Sequence, residues 1–406
     1  MNREFDYDVI IAGGGPAGAS AAIHLATRGA RVLLAEQKKF PRAKLCGEFI
    51  SPECALHFER LGVADQMLAA HPAYLSATVF YSRRGRSVNV PSAWFGAGMA
   101  LGLSRAEMDE RLLRRAVDAG ACVLEDAQVV DLLGDKDRVR GVSVRHAGAV
   151  SQYHAPLTLD ATGRSRVLCR RLDPQRMGSK TKRAPLVAFK AHLENTAVAD
   201  STCEIYFYRG GYGGLSSIEN GLSNLCFIAS ARDVRACAAD PGRVMREVLC
   251  RNHRAARVLS KARACTPWLA VALEGFGRRA VAPVEGLLAI GDAASFIDPF
   301  TGSGMLMALE SGELAAGLVA GYLDADRTLP NTRHLSAAYQ TGYDERFDSR
   351  LKTCALMRRA AFVPGMADVA ICLFGASDRL RQFVSRATRG RSGETYSLGK
   401  RVDNGC

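Results

Sequence analysis

Residues 7–36 read Tyr-Asp-Val-Ile-Ile-Ala-Gly-Gly-Gly-Pro-Ala-Gly-Ala-Ser-Ala-Ala-Ile-His-Leu-Ala-Thr-Arg-Gly-Ala-Arg-Val-Leu-Leu-Ala-Glu. The short apolar run Tyr7–Ala12, closed by Gly13, has the length and composition of a buried parallel strand. Pro16–Arg28 is spaced for a helix, with Ala17, Ala21, Ile23, Leu25 and Ala26 as its packing residues, and Gly29 ends it. Arg31–Glu36 is then a second strand, so the chain opens as a β-α-β unit of a doubly wound parallel sheet. Gly13 permits the tight turn, Gly15 removes a side chain that would block a pyrophosphate, and Gly18 lets helix and strand approach closely. Pro16 and Ala17 begin a helix whose free N–H groups and dipole attract phosphates. Glu36 ends the second strand, about twenty residues on, where an acid binds a ribose hydroxyl pair.

A second loop lies far downstream at residues 291–304, Gly-Asp-Ala-Ala-Ser-Phe-Ile-Asp-Pro-Phe-Thr-Gly-Ser-Gly. It follows a buried strand, Leu287–Ile290, and precedes an apolar small-residue helix, Gly304–Tyr322. One glycine loop implies only a nucleotide. Two, each at a strand-to-helix junction, imply a ligand long enough to need both ends held, and FAD is such a ligand.

The chain of 406 residues is 48% hydrophobic and 23% charged, an ordinary globular composition with room for a large core. Its divisions are expected at 1–181 (first part of the FAD-binding region), 182–282 (an inserted antiparallel substrate sheet), 283–330 (second FAD-binding part) and 331–406 (a helical region with a frayed basic tail). Leu103–Ala121, Cys122–Leu133, Val139–Arg145 and Leu157–Ala161 read as a helix and three strands of the first division. In the second, Val187–Leu193, Cys203–Tyr208 and Leu222–Ser230 alternate as antiparallel strands around a glycine-rich turn at Gly210–Gly214. Twelve cysteines without metal-ligand spacing imply reduced thiols in a cytoplasmic enzyme and no metal site. No apolar stretch such as Ala361–Phe374 is long enough to span a membrane. The formal charge of +13 comes without an aromatic-interleaved basic patch, so nucleic acid is excluded as a partner. Arg379, Arg381, Arg386, Arg389, Arg391, Lys400 and Arg401 follow an apolar segment, a pattern suited to peripheral contact with an anionic membrane surface.

Phe40-Pro41-Arg42-Ala43-Lys44-Leu45-Cys46-Gly47-Glu48-Phe49 resembles the Pro-Arg-x-x-x-Cys-Gly-Glu region of the geranylgeranyl reductase family of flavoproteins, near relatives of flavin-dependent aromatic hydroxylases and halogenases. The resemblance implies a glutathione-reductase-like FAD fold, with five motifs in family order over residues 13–304. It places Arg42 near the phosphates and Cys46, Gly47 and Glu48 beside the flavin ring. Arg105, at the head of Ser104-Arg105-Ala106-Glu107-Met108-Asp109, matches an arginine that bonds the cofactor, although an i,i+4 pair with Asp109 is its plainer role. Asp160 and Gly163 match an Asp-x-x-Gly stretch near FAD and the reductant's path, which an ordinary turn would also explain. Asp292 would accept bonds from the ribityl hydroxyls. Pro299, Gly302, Ser303 and Gly304 would lie against the flavin pyrimidine, with Ser303 standing where many members carry glutamate.

The reaction is less constrained, because bound flavin carries the chemistry and the pocket chooses among outcomes. Trp94 and Trp268 sit outside any Trp-x-Trp-x-x-Pro run, which discounts halogenation. Reductases of the family commonly carry Tyr-x-Trp-x-Phe-Pro where this chain has Tyr212-Gly213-Gly214-Leu215-Ser216, leaving a roomier pocket. A monooxygenase is therefore expected, using NAD(P)H as a transient reductant and O2 to hydroxylate a hydrophobic aromatic, polyketide-like or prenylated quinone-like molecule. Reduction of prenyl double bonds is the alternative, and a flavoprotein that uses FAD only to fold is the non-enzymatic one. Catalytic groups near the flavin would come from Cys46, Gly47, Glu48 and Tyr212. His192, Tyr206 and Tyr208 read as strand core, and no general base is assigned.

Overall fold

Four consecutive buried residues, Val9–Ala12, form the middle strand of a five-stranded sheet whose order is 287–289, 157–160, 9–12, 32–35, 122–124, with every pairing parallel. Strands covered on both faces need unbroken apolar sequence, and Val-Ile-Ile-Ala and Val-Leu-Leu-Ala supply it. The computed structural model describes residues 5–389 apart from 97, 173–185, 274, 327–331 and 364. The expected divisions at 181–182 and 330–331 fall outside the described residues.

Six helices of ten residues or more are described: α1 (Pro16–Ala26), α2 (Arg105–Asp118), α3 (Gly304–Asp326), α4 (Thr332–Ala361), α5 (Met366–Ala376) and α6 (Asp378–Ala387). The Ser104 side chain caps α2 by accepting a bond from the Glu107 N–H at 3.3 Å. Residues 304–323 of α3 are long and apolar enough to cross a membrane by composition alone, which the sequence reading overlooked. In the fold α3 lies along α1: an added Cβ on Gly312 would stand 2.4 Å from the Ala17 carbonyl oxygen, and Ser20 Oγ bonds Leu309 O at 3.1 Å. Its apolar surface is packing surface.

The second sheet has eight strands. Leu186–Glu194, Ser223–Ser230, Gly211–Ser217 and Thr202–Tyr208 are its antiparallel centre. Ala77–Tyr81 then joins parallel to Thr202–Tyr208, and Ser87–Pro91 pairs on its outer side. These last two strands come from the first third of the chain, so the sheet draws on more than the inserted segment. Two expectations are corrected. The glycine-rich turn is confined to the neighbourhood of Gly210 (φ 85°), and Gly211–Ser217 is a central strand. Its glycines are bare for packing: a Cβ on Gly213 would meet Leu249 at 2.8 Å and Phe227 at 2.9 Å. The run Cys122–Leu133 is two strands, Cys122–Leu124 and Gln128–Gly134, broken where Asp126 takes φ 51°.

Alternation sorts this sheet into two faces. Phe189, Ala191, Leu193, Leu225 and Phe227 fill a closed core under the short helices of residues 231–258. Lys190, His192, Asn224, Cys226, Ile228, Tyr212, Gly214, Ile205 and Phe80 occupy register positions on the opposite face.

Candidate active site

The site begins where the two glycine motifs meet. Gly291, at φ 59°, has no room for a side chain because an added Cβ would lie 2.8 Å from the Ala17 Cβ. Its N–H donates to Ser311 Oγ at 2.8 Å, tying the second loop to α3. Gly13 takes φ 107° with its Cβ position 2.4 Å from the Ala161 carbonyl, and a Cβ on Gly18 would lie 1.9 Å from the Gly13 carbonyl. The strand end at Asp160 thus joins both motifs. The Asp160 carboxylate, fully buried, accepts from the Thr162 N–H at 3.0 Å, the Thr162 hydroxyl at 2.5 Å and the Cys169 N–H at 3.0 Å. It builds the turn in which Gly163 takes φ 69°.

Around the first loop stands a basic cradle. The Gly14 N–H donates to Glu36 Oε2 at 2.8 Å, and the Lys38 N–H to Glu36 Oε1 at 3.0 Å. Arg105 forks onto Asp109 with both bonds at 2.7 Å, and Arg42 Nη1 lies 3.1 Å from Asp109 Oδ2. Burial opposes the Arg105 charge, but Asp109 outweighs it and holds the guanidinium more firmly protonated than usual. The i,i+4 pair and the cradle coexist, since a Cβ on Gly15 would face Arg42 Nη2 at 3.8 Å and Arg105 Nη2 at 3.9 Å. The head of α1 carries no side-chain cap and no acid, and Arg42 Nη1, paired in charge with Asp109, makes no hydrogen bond to it. Two guanidiniums and an uncapped helix start around a bare glycine suit a diphosphate. Burial raises the pKa of Asp292, while Arg164, Arg105 and Lys44 partly offset the rise. The second motif's acid therefore shares the field of the first motif's cations.

Beyond this cradle, the loop at Cys46–Glu48 crosses the open face of the eight-stranded sheet. Asn224 Nδ2 donates to the Cys46 carbonyl at 3.1 Å, and the Glu48 N–H points at Cys46 Sγ at 3.4 Å. Glu48 is wholly buried and left-handed at φ 53°, a conformation that persists only where surroundings impose it. They do so: Glu48 Oε1 accepts from Lys190 Nζ at 2.5 Å and from the Arg105 N–H at 2.8 Å, and Oε2 lies 2.7 Å from His192 Nε2. Burial alone would raise the Glu48 pKa, but the His192 bond, the Lys190 charge and the Arg105 N–H carry it below the usual glutamate range. Lys190 was not singled out from sequence. Its signal was a lysine in the middle of a mostly apolar strand, 187–193, two residues before His192, where an unpaired charge would be costly.

The opposing wall is the turn Pro299–Thr301, capped by Asp298, with Gly302 at φ 65° against the Phe49 ring. Ser303 is buried, its hydroxyl 3.1 Å from Thr301 Oγ1, and Gly304 begins α3. Asp298 receives the Tyr212 hydroxyl and lies 3.0 Å from Arg358 Nε of α4. Burial, then Asp298, pushes Tyr212 well above the ordinary tyrosine range, so it remains a donor that fixes this turn.

Between these walls opens a cleft of about 870 Å³, bounded by Gly47, Phe49 and Pro299–Gly302, with Gly214, Cys226 and Ile228 in its floor. A second space of about 760 Å³ continues it under α5 and α6, and the two share Phe80, Val90, Phe300, Met357 and Ser385. Arg389 is the single charged side chain among the described residues lining the inner space. It is buried, 3.8 Å from Glu53, with Nε and Nη1 lacking hydrogen-bond partners. Of the tail's expected basic residues, Arg391, Lys400 and Arg401 lie outside the described residues.

The FAD binding domain family model matches residues 6–331. The chain belongs to this family. FAD is its cofactor, and it is an FAD-dependent oxidoreductase with the glutathione-reductase-like fold. The chain is similar to digeranylgeranylglycerophospholipid reductase 2 of Methanopyrus kandleri, 28% identical over 86% of this chain and 84% of that protein. It is 30% identical to menaquinone reductase of Mycobacterium tuberculosis (strain CDC 1551 / Oshkosh), covering 79% of this chain and 78% of the relative. A solved flavin-dependent brominase, Bmp2, superposes with a TM-score of 0.76 over 94% of this chain and 93% of the brominase at 21% identity, a likeness of fold alone. Reductases and a brominase share the scaffold, so the reaction must be argued from the cleft.

Proposed function

We propose that the chain reduces carbon–carbon double bonds in the isoprenoid portion of a lipid-like molecule, with NAD(P)H as the transient source of electrons. One observation carries this reading: the cleft continues past the flavin-side loops into a second apolar space, giving a path longer than a fused ring needs. The two relatives named as reductases support it.

In this reading Glu36 takes the ribose, and Gly13, Gly15, Pro16, Ala17 and Gly18 with Arg42 and Arg105 take the diphosphate. Asp292 takes the ribityl chain, and Cys46, Gly47, Pro299, Gly302, Ser303 and Gly304 flank the ring. Asp160 and Gly163 shape the turn between the two motifs. FAD supplies the hydride when bound. Saturation also needs a proton, and Lys190 Nζ and His192 Nε2 stand against Glu48, the residue after Gly47 at the cleft's edge, as the groups placed to relay one. Phe80, Val90, Phe300 and Met357 exclude water along the apolar path. Arg389 offers its unsatisfied donors to an oxygen of the substrate.

Hydroxylation of a hydrophobic ring, with O2 as co-substrate, is the second reading. It is favoured by Gly214, whose bare backbone widens the floor where a bulky side chain would narrow it. Incubating detergent-dispersed polyprenylated quinone with NADPH, with and without oxygen, separates the two. The first reading requires a product gaining two hydrogens per double bond without oxygen. A product that gains an oxygen atom, and only in air, would overturn it.

A further inference from the structure

We propose that α5, α6 and the end of α4 form a docking surface for an anionic phospholipid bilayer, through which the hydrophobic substrate enters the cleft. This rests on the lipid-like substrate proposed above. Thirteen large apolar side chains are exposed in the described residues, and seven of them fall between Leu356 and Phe383. The clustering is far from the scattered exposure of a solvated surface.

Helix α5 is apolar on both sides. Val369 and Leu373 are exposed on the outer side of α5, Met366 at its start is exposed and also borders the second space, and Ala367, Ala370, Ile371 and Phe374 line that space on the inner side. A surface helix apolar all round wants a second apolar medium outside. On α6, Leu380 and Phe383 stand out, Phe383 with 73% of its surface exposed. Val384 and Ser385 turn inward.

Charge names the occupant. Lys352, Arg359, Arg379 and Arg386 are exposed in this segment, and Arg379, Phe383 and Arg386 share one side of α6. The acids among its described residues are Asp368 and Asp378, and Asp378 pairs with Arg381 at 2.7 Å. Exposed apolar residues interleaved with cations suit a bilayer interface bearing anionic headgroups. Arg389, by contrast, is buried against Glu53 and the Phe95 ring and takes no part. Because α5 and α6 wall the second space, a bilayer on their outer side puts the cleft one helix layer from the acyl region.

The test uses the full-length holoprotein in vesicle flotation. Mixed phosphatidylcholine and phosphatidylglycerol vesicles are expected to carry the protein upward, and pure phosphatidylcholine to carry much less. A Leu373→Asp/Phe383→Asp variant should lose roughly tenfold or more of this partitioning. An Arg379→Glu/Arg386→Glu variant should lose it severalfold on the anionic vesicles and fail to distinguish the two compositions. Both should keep their FAD content and their rate on detergent-dispersed substrate. Wild-type protein that floats on neither vesicle overturns the proposal, as does a dimer by light scattering that the apolar variant dissolves, since a second copy would then cover the patch. Flotation needs no turnover, so a failed reductase assay leaves this result standing, and the reverse holds too.

Discussion

Glu48 shows how much a single residue can decide in this site. Among the described residues its carboxylate is the only acid hydrogen-bonded to Lys190 Nζ and His192 Nε2, and it also receives the Arg105 N–H that starts α2. Glu48→Gln would strand a buried lysine, a loss of about 3–5 kcal/mol for breaking one side of a buried pair. The expected outcome is a lower urea midpoint with flavin still bound in the surviving folded fraction. The pH dependence follows from the direction of its shift. A carboxyl whose folded pKa is depressed contributes stability above its unfolded value, about 4.3, and loses it as pH falls through the folded value. Below about pH 4 the wild-type midpoint should therefore fall toward that of the variant, and parallel curves there would refute the assignment. Asp292 gives a second test at this scale. Asp292→Ala removes the acceptor opposite Arg164 and Arg105, and FAD should bind roughly 10- to 100-fold more weakly by equilibrium dialysis. Full retention would contradict its assigned contact.

At the scale of elements, the opening strand, helix and strand were legible because their signals are local: an apolar run, a helical spacing, and glycines at the turn. Gly18 shows the gain and the cost of such local precision. Its Cβ position overlaps the Gly13 carbonyl at 1.9 Å, so Gly18→Ala forces α1 off its strand. That variant should purify without yellow colour and melt several degrees lower. The strand Gly211–Ser217 was not legible, because Tyr-Gly-Gly reads as a turn until Phe227, Leu249 and Ile205 are seen filling the space beside it. The strand 77–81 was missed for a related reason: its partner, 202–208, lies more than a hundred residues away, and 87–91 joins the sheet only through 77–81. The Lys190–Glu48–His192 set likewise depends on a register that brings residue 48 over residue 190, which no window of sequence contains. Gly214 is the element-scale handle on specificity. Gly214→Trp should fill the floor beside Ile205, leave FAD content unchanged, and raise KM far more for ring substrates than for a thin chain. Equal effects on both would argue that the floor does not select.

For the whole molecule, the long ligand and the long chain answer one another. In the proposed reading residues from both glycine motifs hold the cofactor, which then binds only the folded state and stabilises it by mass action, about 2.7 kcal/mol at a hundredfold excess over Kd. Removing FAD should lower Tm by several degrees and broaden near-ultraviolet signals; an apoprotein that melts with the holoprotein would count against a bridging site. The contact between Gly291 and Ala17 has a further consequence for biosynthesis. While a ribosome is still short of residue 287, strand 157–160, which flanks the central strand 9–12, has no partner on its outer edge, and α1 has no α3 to cover it. The eight-stranded sheet, complete by residue 273, has no such wait. The segment made first is therefore finished last, and a nascent chain arrested near residue 286 should yield to protease at α1 while strands 186–273 resist.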